Sequence, residues 1–272
     1  MMGKAQTLET LKQQVAALET QPLLEDTESY AAPAGLLATP RGCVHEVFAD
    51  SLANAGSALG FALAQARRML EPGRPGLIVL QLKSDAQEIG LPYGLGLKSF
   101  GLDTAAIVLI RTDTIVELLW ALEEAIACRA VGAVVADIAY PHKELDFTAS
   151  RRLALRSAAS GGSVFLVRYG RHREAGAAKY RWRVAPSLSA SPPFDDRAPG
   201  PPRWRITLEK GSLDVRRRTA AAGEEYLVDW TENGLVLADD TNSRDRAVVL
   251  PAYPALSDAD PAALGDRLSE AG

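Results

Sequence analysis

Apolar residues follow two patterns along the central part of the chain, short continuous runs and longer stretches with helical spacing. The continuous runs predict strands at residues 44–48, 76–82, 106–111, 133–139 and 163–168. Apolar positions three and four residues apart predict helices at residues 59–70, 114–130 and 148–160. Thr112 or Asp113 is expected to cap the second helix and Asp146 the third. This alternation predicts a three-layer α/β core around a mostly parallel sheet.

The pattern changes after Lys179, where apolar and polar residues alternate. Residues 180–184 and 203–208 alternate with a period of two, as half-exposed antiparallel strands do. Further strands are predicted at residues 225–230 and 235–238, with Asn233-Gly234 as a hairpin signal between them. The sequence therefore predicts antiparallel strands after the parallel core, separated by a proline-rich surface loop.

Both ends of the chain differ from this core. Near the N-terminus, apolar positions recur at helical spacing and predict one short amphipathic helix, at Leu8, Leu11, Val15 and Leu18. That helix either packs on its own domain or forms an arm that docks on another chain. We predict four regions: the helix and a linker (1–41), the α/β core (42–184), the proline-rich loop with a β extension (185–250) and an acidic, disordered tail (251–272).

Composition excludes several classes of protein. Of 272 residues, 47% are hydrophobic and 24% are charged, which is typical of a globular protein of one large domain, alone or with appendages. Neither a membrane span nor a secretory signal is expected, so the predicted location is the cytoplasm. Cys43 and Cys128 are expected to be buried thiols rather than a disulfide or a metal knuckle.

The net charge of −4 hides a strong segregation of charge. Residues 151–218 hold 16 basic and 5 acidic groups, a net +11, whereas the two flanks carry −7 and −8. This distribution favours either a surface for nucleic acid or an acidic partner, or electrostatic matching between segments of the chain itself.

The position of a phosphate loop, between the first strand and the first helix, lacks the chemistry of nucleotide hydrolysis. That loop requires a lysine, and none occurs between Arg41 and Arg67. The degenerate loop instead carries Asp50, Asn54, Gly56 and Ser57, and the Asp50 carboxylate would repel a triphosphate. We therefore expect no nucleotide cofactor and no ATPase activity.

Other catalytic patterns are also missing from the sequence. Asp137 ends an apolar strand where a nucleotide hydrolase would hold Mg²⁺, but without a phosphate loop it is expected to serve only in hydrogen bonding. Cys43 and His45 supply at most two zinc ligands, which is too few for a zinc site. In residues 90–99, Leu97 separates Gly96 from Lys98, so this glycine-rich run is expected to be a turn. The sequence predicts neither a metal site nor an enzyme.

A basic segment is the remaining functional signal. Its cations are Arg151, Arg152, Arg156, Arg168, Arg171, Arg173, Lys179, Arg181 and Arg183. Part of it follows the end of a strand, where α/β folds place ligands. Tyr169, Tyr180 and Trp182 supply aromatic faces on which bases could stack. The alternative is that these cations lie on solvated strand and helix faces.

Several segments resemble the RecA-like ATPase core and, more closely, its degenerate relatives in the ImuA family of SOS-associated mutagenesis proteins. Residues 42–48 are similar to the strand before the RecA phosphate loop, 134–137 to the Walker B strand, and 175–180 to the end of a DNA-binding loop. The segments that resemble the ImuA family itself are 92–94, 100–103, 119–125, 145–155, 181–186 and 200–205. The resemblance covers about residues 42–230.

The resemblance implies a non-catalytic accessory of error-prone translesion synthesis, induced by DNA damage and associated with the nucleoid. The implied partners are an ImuB-like inactive polymerase, an error-prone paralogue of the replicative polymerase, and RecA. RecA-type chains assemble when an N-terminal arm docks on the next protomer, so the resemblance also implies a homo-oligomer or an arm groove that accepts a segment of the ImuB-like protein. The alternatives are a SulA-like cell-division inhibitor and a RecA-like DNA-binding protein.

Overall fold

A computed structural model describes residue 37 and residues 39–190, 198–215, 218–220, 223–231 and 234–238. The predicted N-terminal helix, with Leu8, Leu11, Val15 and Leu18, and the predicted acidic tail both lie outside the described residues. Among the described residues, no helix has the length and apolar character needed to cross a membrane.

A nine-stranded sheet forms the centre of the protein. Its strands are β1 (Val44–Ala49), β2 (Gly76–Leu82), β3 (Ile107–Thr112), β4 (Val131–Ile138), β5 (Ser163–Tyr169), β6 (Tyr180–Ser187), β7 (Arg203–Lys210), β10 (Glu225–Thr231) and β11 (Gly234–Leu237). The short strands β8 (Leu213–Val215) and β9 (Arg218–Ala220) form a separate hairpin. The order in the large sheet is β11-β10-β7-β6-β1-β5-β4-β2-β3.

In the part of the chain that the structure describes, five α-helices accompany the sheet: α1 (Ala55–Arg67), α2 (Lys83–Ile89), α3 (Gly94–Ser99), α4 (Ile115–Ala127) and α5 (Phe147–Ser160). The strands from β3 to β6 across the sheet are parallel, and β7, β10 and β11 continue it with antiparallel pairing. The predicted α/β class, with a mostly parallel sheet and antiparallel C-terminal strands, is confirmed.

Four local expectations are wrong, and one helix, α2, was not predicted. Residues 94–99 form the helix α3 rather than a turn. Strand β6 pairs in parallel with β1 and only its other edge is antiparallel. Thr114 caps α4, because its hydroxyl accepts from the Glu117 N–H while the Glu117 carboxylate accepts from the Thr114 N–H. Cys128, at the end of α4, is exposed.

Two apolar layers cover the two faces of the sheet. Helix α1 packs on one face, where Phe61 meets the edges of Trp182 and Trp204. Helices α4 and α5 pack on the other face through Leu118 and Leu153. Trp204 also donates from its indole nitrogen to the Ser57 carbonyl at 3.0 Å, which fixes the antiparallel extension to α1.

The connection from β5 to β6 crosses β1 without a helix. Residues 170–179 run from the C-terminal end of β1 to its N-terminal end. At the first end the Gly170 N–H donates to the Ala49 carbonyl, and at the second the Lys179 N–H donates to the Val44 carbonyl. Ala178 is buried in the layer of α4 and α5, so the segment lies on that face of the sheet. Most parallel strands are joined by a helix, so here an extended segment must cover β1 instead.

His45 lies near the start of β1 and is fully buried. Its ring stacks between Phe165 and Tyr180, with centroids 4.6 and 5.0 Å away, and Nδ1 accepts from the Trp182 indole. Burial, with smaller contributions from the charges of Arg68 and Lys179, lowers the pKa of His45 to about 3. The folded protein therefore holds a neutral imidazole in its core.

We expect His45 to make folding stability sensitive to acid. Its pKa is 6.5 when exposed and about 3 when folded, so its contribution is complete above pH 6.5 and is lost as the pH falls toward 3. The free energy of unfolding should be measured by urea titration for His45→Phe and for the wild type. As the pH falls through this window, the difference in favour of His45→Phe should grow by about 1.4 kcal/mol per pH unit. Parallel pH profiles for the two proteins would contradict the assignment.

Candidate functional site

The place of the degenerate phosphate loop lies at the carboxyl end of β1. Asp50 and Ser51 follow the strand, a 3₁₀ turn spans Leu52–Asn54, and α1 begins at Ala55. The Ser51 hydroxyl accepts from the Ala53 N–H at 3.2 Å, while the Asn54 side chain makes no capping bond. The loop is thus a short capped turn rather than a cradle of backbone N–H groups.

An arginine of the same chain pairs with the carboxylate in this loop. Arg173, from the β5–β6 connection, contacts Asp50 at 3.2 Å and Glu209 at 2.9 Å. Its guanidinium carbon lies 4.2 Å from the centroid of the Phe48 ring, at the end of β1. A positive charge is therefore present near the phosphate-loop position, but two carboxylates of the same chain already neutralise it.

Two more arginines complete what we call the arginine cluster, Arg168, Arg173 and Arg181. Arg168 pairs with Glu174 at 2.7 Å, and its guanidinium also lies over Phe48. Arg181 pairs at 2.7 Å with Glu46, a carboxylate that is only 2% exposed in the middle of β1. Arg181 also donates to the Glu174 carbonyl. The cluster fastens the β5–β6 connection onto β1.

The connection passes close to the carboxylate of Glu46 at Gly176. A Cβ atom on Gly176 would lie 2.7 Å from Glu46 Oε1, well inside van der Waals contact. Sequence reasoning missed Glu46 and Phe48 as site residues. The signal available for Glu46 was a carboxylate inside an otherwise apolar strand, which requires a buried cation as its partner.

The remaining predicted cations divide into two sets. On α5, Arg152 and Arg156 pair with Glu123 of α4 at 3.3 and 3.1 Å. Four others have no carboxylate partner among the described residues: Arg151, Arg171, Lys179 and Arg183. These four do not converge, because Arg171 follows the carboxyl end of β5 whereas Lys179 lies at the opposite end of β1. Internal matching thus accounts for five of the nine predicted cations, and a role for them in binding nucleic acid or an acidic partner stays a prediction.

Asp137 lies at the end of β4 and is 1% exposed. Its two oxygens accept from the Tyr169 hydroxyl at 2.7 Å and the Gln81 amide at 3.0 Å, as the hydrogen-bonding interpretation predicted. Burial raises the pKa of Asp137 to about 6; the two hydrogen bonds oppose this, and the charge of Asp85 adds to it. Gln81 Oε1 is buried and has no partner among the described residues.

A cleft of about 430 Å³ opens above these strand ends, lined by the segments that follow β1, β4 and β5. Arg171 and His172 stand on its rim, and Asp50 and Glu174 line it together with Arg168. In parallel α/β sheets this edge is where ligands bind. Among the described residues, no group of three or more histidine, cysteine, aspartate or glutamate side chains could hold a metal ion.

The fold and this site define a class: an α/β protein with a mostly parallel sheet, in which intramolecular ion pairs stand beside the phosphate-loop position. Protein ImuA of Caulobacter vibrioides, from the strains NA1000 / CB15N and ATCC 19089 / CIP 103742 / CB 15, is 34% identical over 183 residues. The match spans 63% of this chain and 70% of that protein. The chain belongs to the ImuA family.

Two further comparisons complete the picture. A RadB recombinase crystal structure matches with 13% sequence identity and a TM-score of 0.47, covering 74% of this chain and 92% of that one. A likeness of this degree says nothing of function. No model of a protein family matches the sequence.

We expect the buried Glu46–Arg181 pair to be essential for stability. Glu46→Gln leaves Arg181 without its charge partner and should lower the free energy of unfolding by about 3 kcal/mol, since breaking a buried pair costs about 3–5 kcal/mol. Arg181→Gln should cost a similar amount, and the double variant less than the sum, as chemical denaturation of all four proteins would show. Arg205→Gln is the control, because its pair with Glu225 is more than half exposed. Equal losses for Arg205→Gln and Arg181→Gln would contradict the prediction.

Asp137→Asn should stabilise the protein at neutral pH. The folded pKa of about 6 exceeds the ordinary 3.8, so the stability that Asp137 contributes is present below pH 3.8 and is lost as the pH rises through 6. The difference in free energy of unfolding between Asp137→Asn and the wild type should rise by about 2–3 kcal/mol in favour of the variant between pH 4 and pH 8. Chemical denaturation of both proteins at the two pH values measures this difference.

Asp113→Asn is the control for this experiment, because that carboxylate is exposed and pairs with Lys83 at the surface. It measures what removal of an exposed carboxylate does under the same conditions. Loss of stability by Asp137→Asn at pH 8 would show instead that the ionised carboxylate is needed in the fold.

Proposed function

We propose that this protein is a non-catalytic accessory of SOS-induced error-prone translesion synthesis, and that it connects an ImuB-like inactive polymerase to RecA-type or polymerase partners. Membership of the ImuA family supports the coarser part, an accessory role in SOS-type mutagenesis. The absence of a phosphate-loop lysine and the Arg173–Asp50 ion pair support the non-catalytic part. A scaffold also needs a surface to which a partner can bind.

The observation that carries the proposal is an uncovered apolar edge of the sheet. Strand β3 pairs with β2, and no described strand pairs with its other side. Val108 and Leu109 in the middle of β3 are 54% and 40% exposed. Exposed apolar edge strands accept further strands, and soluble proteins normally protect them with charge or a covering segment.

Helix α4, which contacts β3, carries two further exposed apolar side chains. Val116 and Trp120 lie one turn apart on α4 and are 61% and 67% exposed. Ile110 packs into the layer of α4, so Val108, two residues earlier, shares that face of the sheet. We call Val108, Leu109, Val116 and Trp120 the β3 edge patch. Tryptophan is one of the residue types that contribute most of the binding energy in protein interfaces.

We propose that a segment of the ImuB-like polymerase adds to β3 and packs its apolar side chains on the β3 edge patch. The free N–H and C=O groups of β3 would hold the segment as an added strand, and the patch would select its apolar residues. The chain's own N-terminal segment, predicted to be an amphipathic helix with Leu8, Leu11, Val15 and Leu18, would compete for the apolar surface of the β3 edge patch in a homo-oligomer.

We expect Val108→Lys and Trp120→Ala to weaken the complex with the ImuB-like polymerase of the same organism by at least tenfold. Each removes exposed apolar surface from the centre of the interface, where truncation costs about 2 kcal/mol or more. The measurement is co-purification with the tagged protein in high salt without nucleotide, followed by titration calorimetry. Leu188→Ser is the matched control, because Leu188 is 69% exposed but lies on the loop after β6.

The outcomes separate the alternatives. Failure of the wild type to retain the polymerase would refute the scaffold role and favour the cell-division or DNA-binding alternatives. Retention that is indifferent to both β3 edge variants would place the interface elsewhere. Deletion of residues 1–24 should change the oligomeric state, and should free the patch for the polymerase rather than weaken that complex.

A further inference from the structure

The helical layer formed by α4 and α5 has room for one more helix. On this face of the sheet, α4 packs against β2, β3 and β4, and α5 packs against β1 and β5. The described helix that packs against β6 is α1, which lies on the opposite face. Strands lie about 5 Å apart and packed helices about 10 Å apart, so one helix covers about two strands. The next position in the layer, bounded by α5, β6, β7 and residues 170–179, holds no helix of the described chain. We call this position the helix slot.

Exposed cations form the floor of the helix slot. Trp182 of β6 packs into the layer of α1, so Arg183, the next residue along the strand, points to the opposite face and into the slot. Arg183 is exposed, and its guanidinium donates to the Thr207 hydroxyl of β7 at 3.2 Å. Lys210, at the end of β7, also reaches this face, because its ammonium donates to the Gly176 carbonyl of the β5–β6 connection at 3.0 Å. Two strands thus place positive charge where a third helix would pack.

Helix α5 supplies the side wall of the helix slot. Its ion pairs with Glu123 lie on the side that faces α4. Ser150 lies on the other side, because its hydroxyl accepts from the Ala177 N–H of the β5–β6 connection at 2.8 Å. Phe147 lies one turn before both Ser150 and Arg151, so these side chains are neighbours on the wall. Phe147 is 50% exposed and Arg151 is exposed, so the wall offers an apolar ring beside a cation.

The helix slot carries an excess of positive charge. The carboxylates of Glu46, Glu174 and Glu209 beside it are already paired with the arginine cluster. Three cations of the slot have no carboxylate partner among the described residues: Arg151, Arg183 and Lys210. An uncharged helix over these cations would remove their water without giving them a partner, which is costly. An occupant of the slot must therefore bring carboxylates or other anions.

A protein helix fits the helix slot better than a strand of nucleic acid. The rings that the sequence offered for stacking on bases, Tyr169, Tyr180 and Trp182, are 8%, 4% and 0% exposed. They therefore form no platform for bases. The cations of the slot also lie among the carboxylates of the ion pairs, which would repel a chain of phosphates. An apolar ring beside a cation on α5 is instead complementary to a helix that carries apolar and acidic residues on one face.

We propose that the helix slot binds an acidic amphipathic helix of a partner protein, with carboxylates toward Arg151, Arg183 and Lys210 and an apolar side chain against Phe147. The helix would extend the layer of α4 and α5 over β6 and β7. The slot and the β3 edge patch are far apart, because β6 and β3 are separated by β1, β5, β4 and β2 in the sheet. Loss of this interaction therefore does not entail loss of the complex proposed above.

The test uses the full chain and three fluorescent probes. The first is a synthetic helical peptide as long as α5, with glutamate and leucine on one face. The second has lysine in place of every glutamate, and the third is an oligothymidylate. In anisotropy titrations at low salt, we expect the glutamate peptide to bind and its affinity to fall as salt is added. The lysine peptide and the oligothymidylate should bind about tenfold more weakly or not at all.

Charge reversals locate the site. Arg151→Glu, Arg183→Glu and Lys210→Glu should each weaken binding of the glutamate peptide by about fivefold or more. Each should fold, as circular dichroism would show, because none of these cations belongs to a buried ion pair. Arg129→Glu is the matched control, since Arg129 is also exposed but lies in the turn between α4 and β4. Trp120→Ala, in the β3 edge patch, should bind the glutamate peptide like the wild type.

The outcomes are decisive for the occupant. A double variant, Arg151→Glu with Arg183→Glu, should lose the glutamate peptide and bind the lysine peptide, as charge matching requires. Absence of binding by the glutamate peptide, or an equal loss with Arg129→Glu, would overturn the proposal. Tight binding of the oligothymidylate that depends on the same cations would overturn it in favour of nucleic acid.

Discussion

The buried pair between Glu46 and Arg181 is the interaction on which the rest of the structure depends. β1 is the central strand, and one of its neighbours, β6, is reached by a connection that has no helix to bury its face. Glu46, a carboxylate in the middle of β1, could not be buried alone. Arg181 neutralises it from β6, Gly176 gives it space, and Arg168 and Arg173 extend the same ionic contacts to Glu174, Asp50 and Glu209. The ion pairs therefore hold the β5–β6 connection in place, as a packed helix does in the other connections between parallel strands.

The same contacts explain why the strand ends do not look like a nucleotide site. A phosphate loop leaves backbone donors and a lysine free for an anion that arrives from solution. Here Asp50 supplies the anion from within the chain and Arg173 supplies the cation, so the two charges are matched within the chain.

The sequence predicted the sheet well because its strands are apolar runs, and burial on both faces leaves such runs few alternatives. It did not predict α2 or α3, since helices of seven and six residues with glycine nearby carry little periodicity. The arginines were found from their density, but their partners could not be: Asp50 is 123 residues from Arg173, and Glu46 is 135 residues from Arg181. The β3 edge patch was also missed, because Val108 and Trp120 belong to patterns that predict buried positions.

The place of β1 in the sheet also governs how the chain is made. Both strands that flank β1 come late in the sequence, β5 at Ser163–Tyr169 and β6 at Tyr180–Ser187. During synthesis the first strand must therefore wait, with its hydrogen-bonding groups and Glu46 unmatched, until more than a hundred further residues have emerged from the ribosome. Among the described strands, the centre of the sheet is thus translated first and is among the last to find its neighbours, and Glu46 lacks its ion-pair partner until Arg181 has been translated.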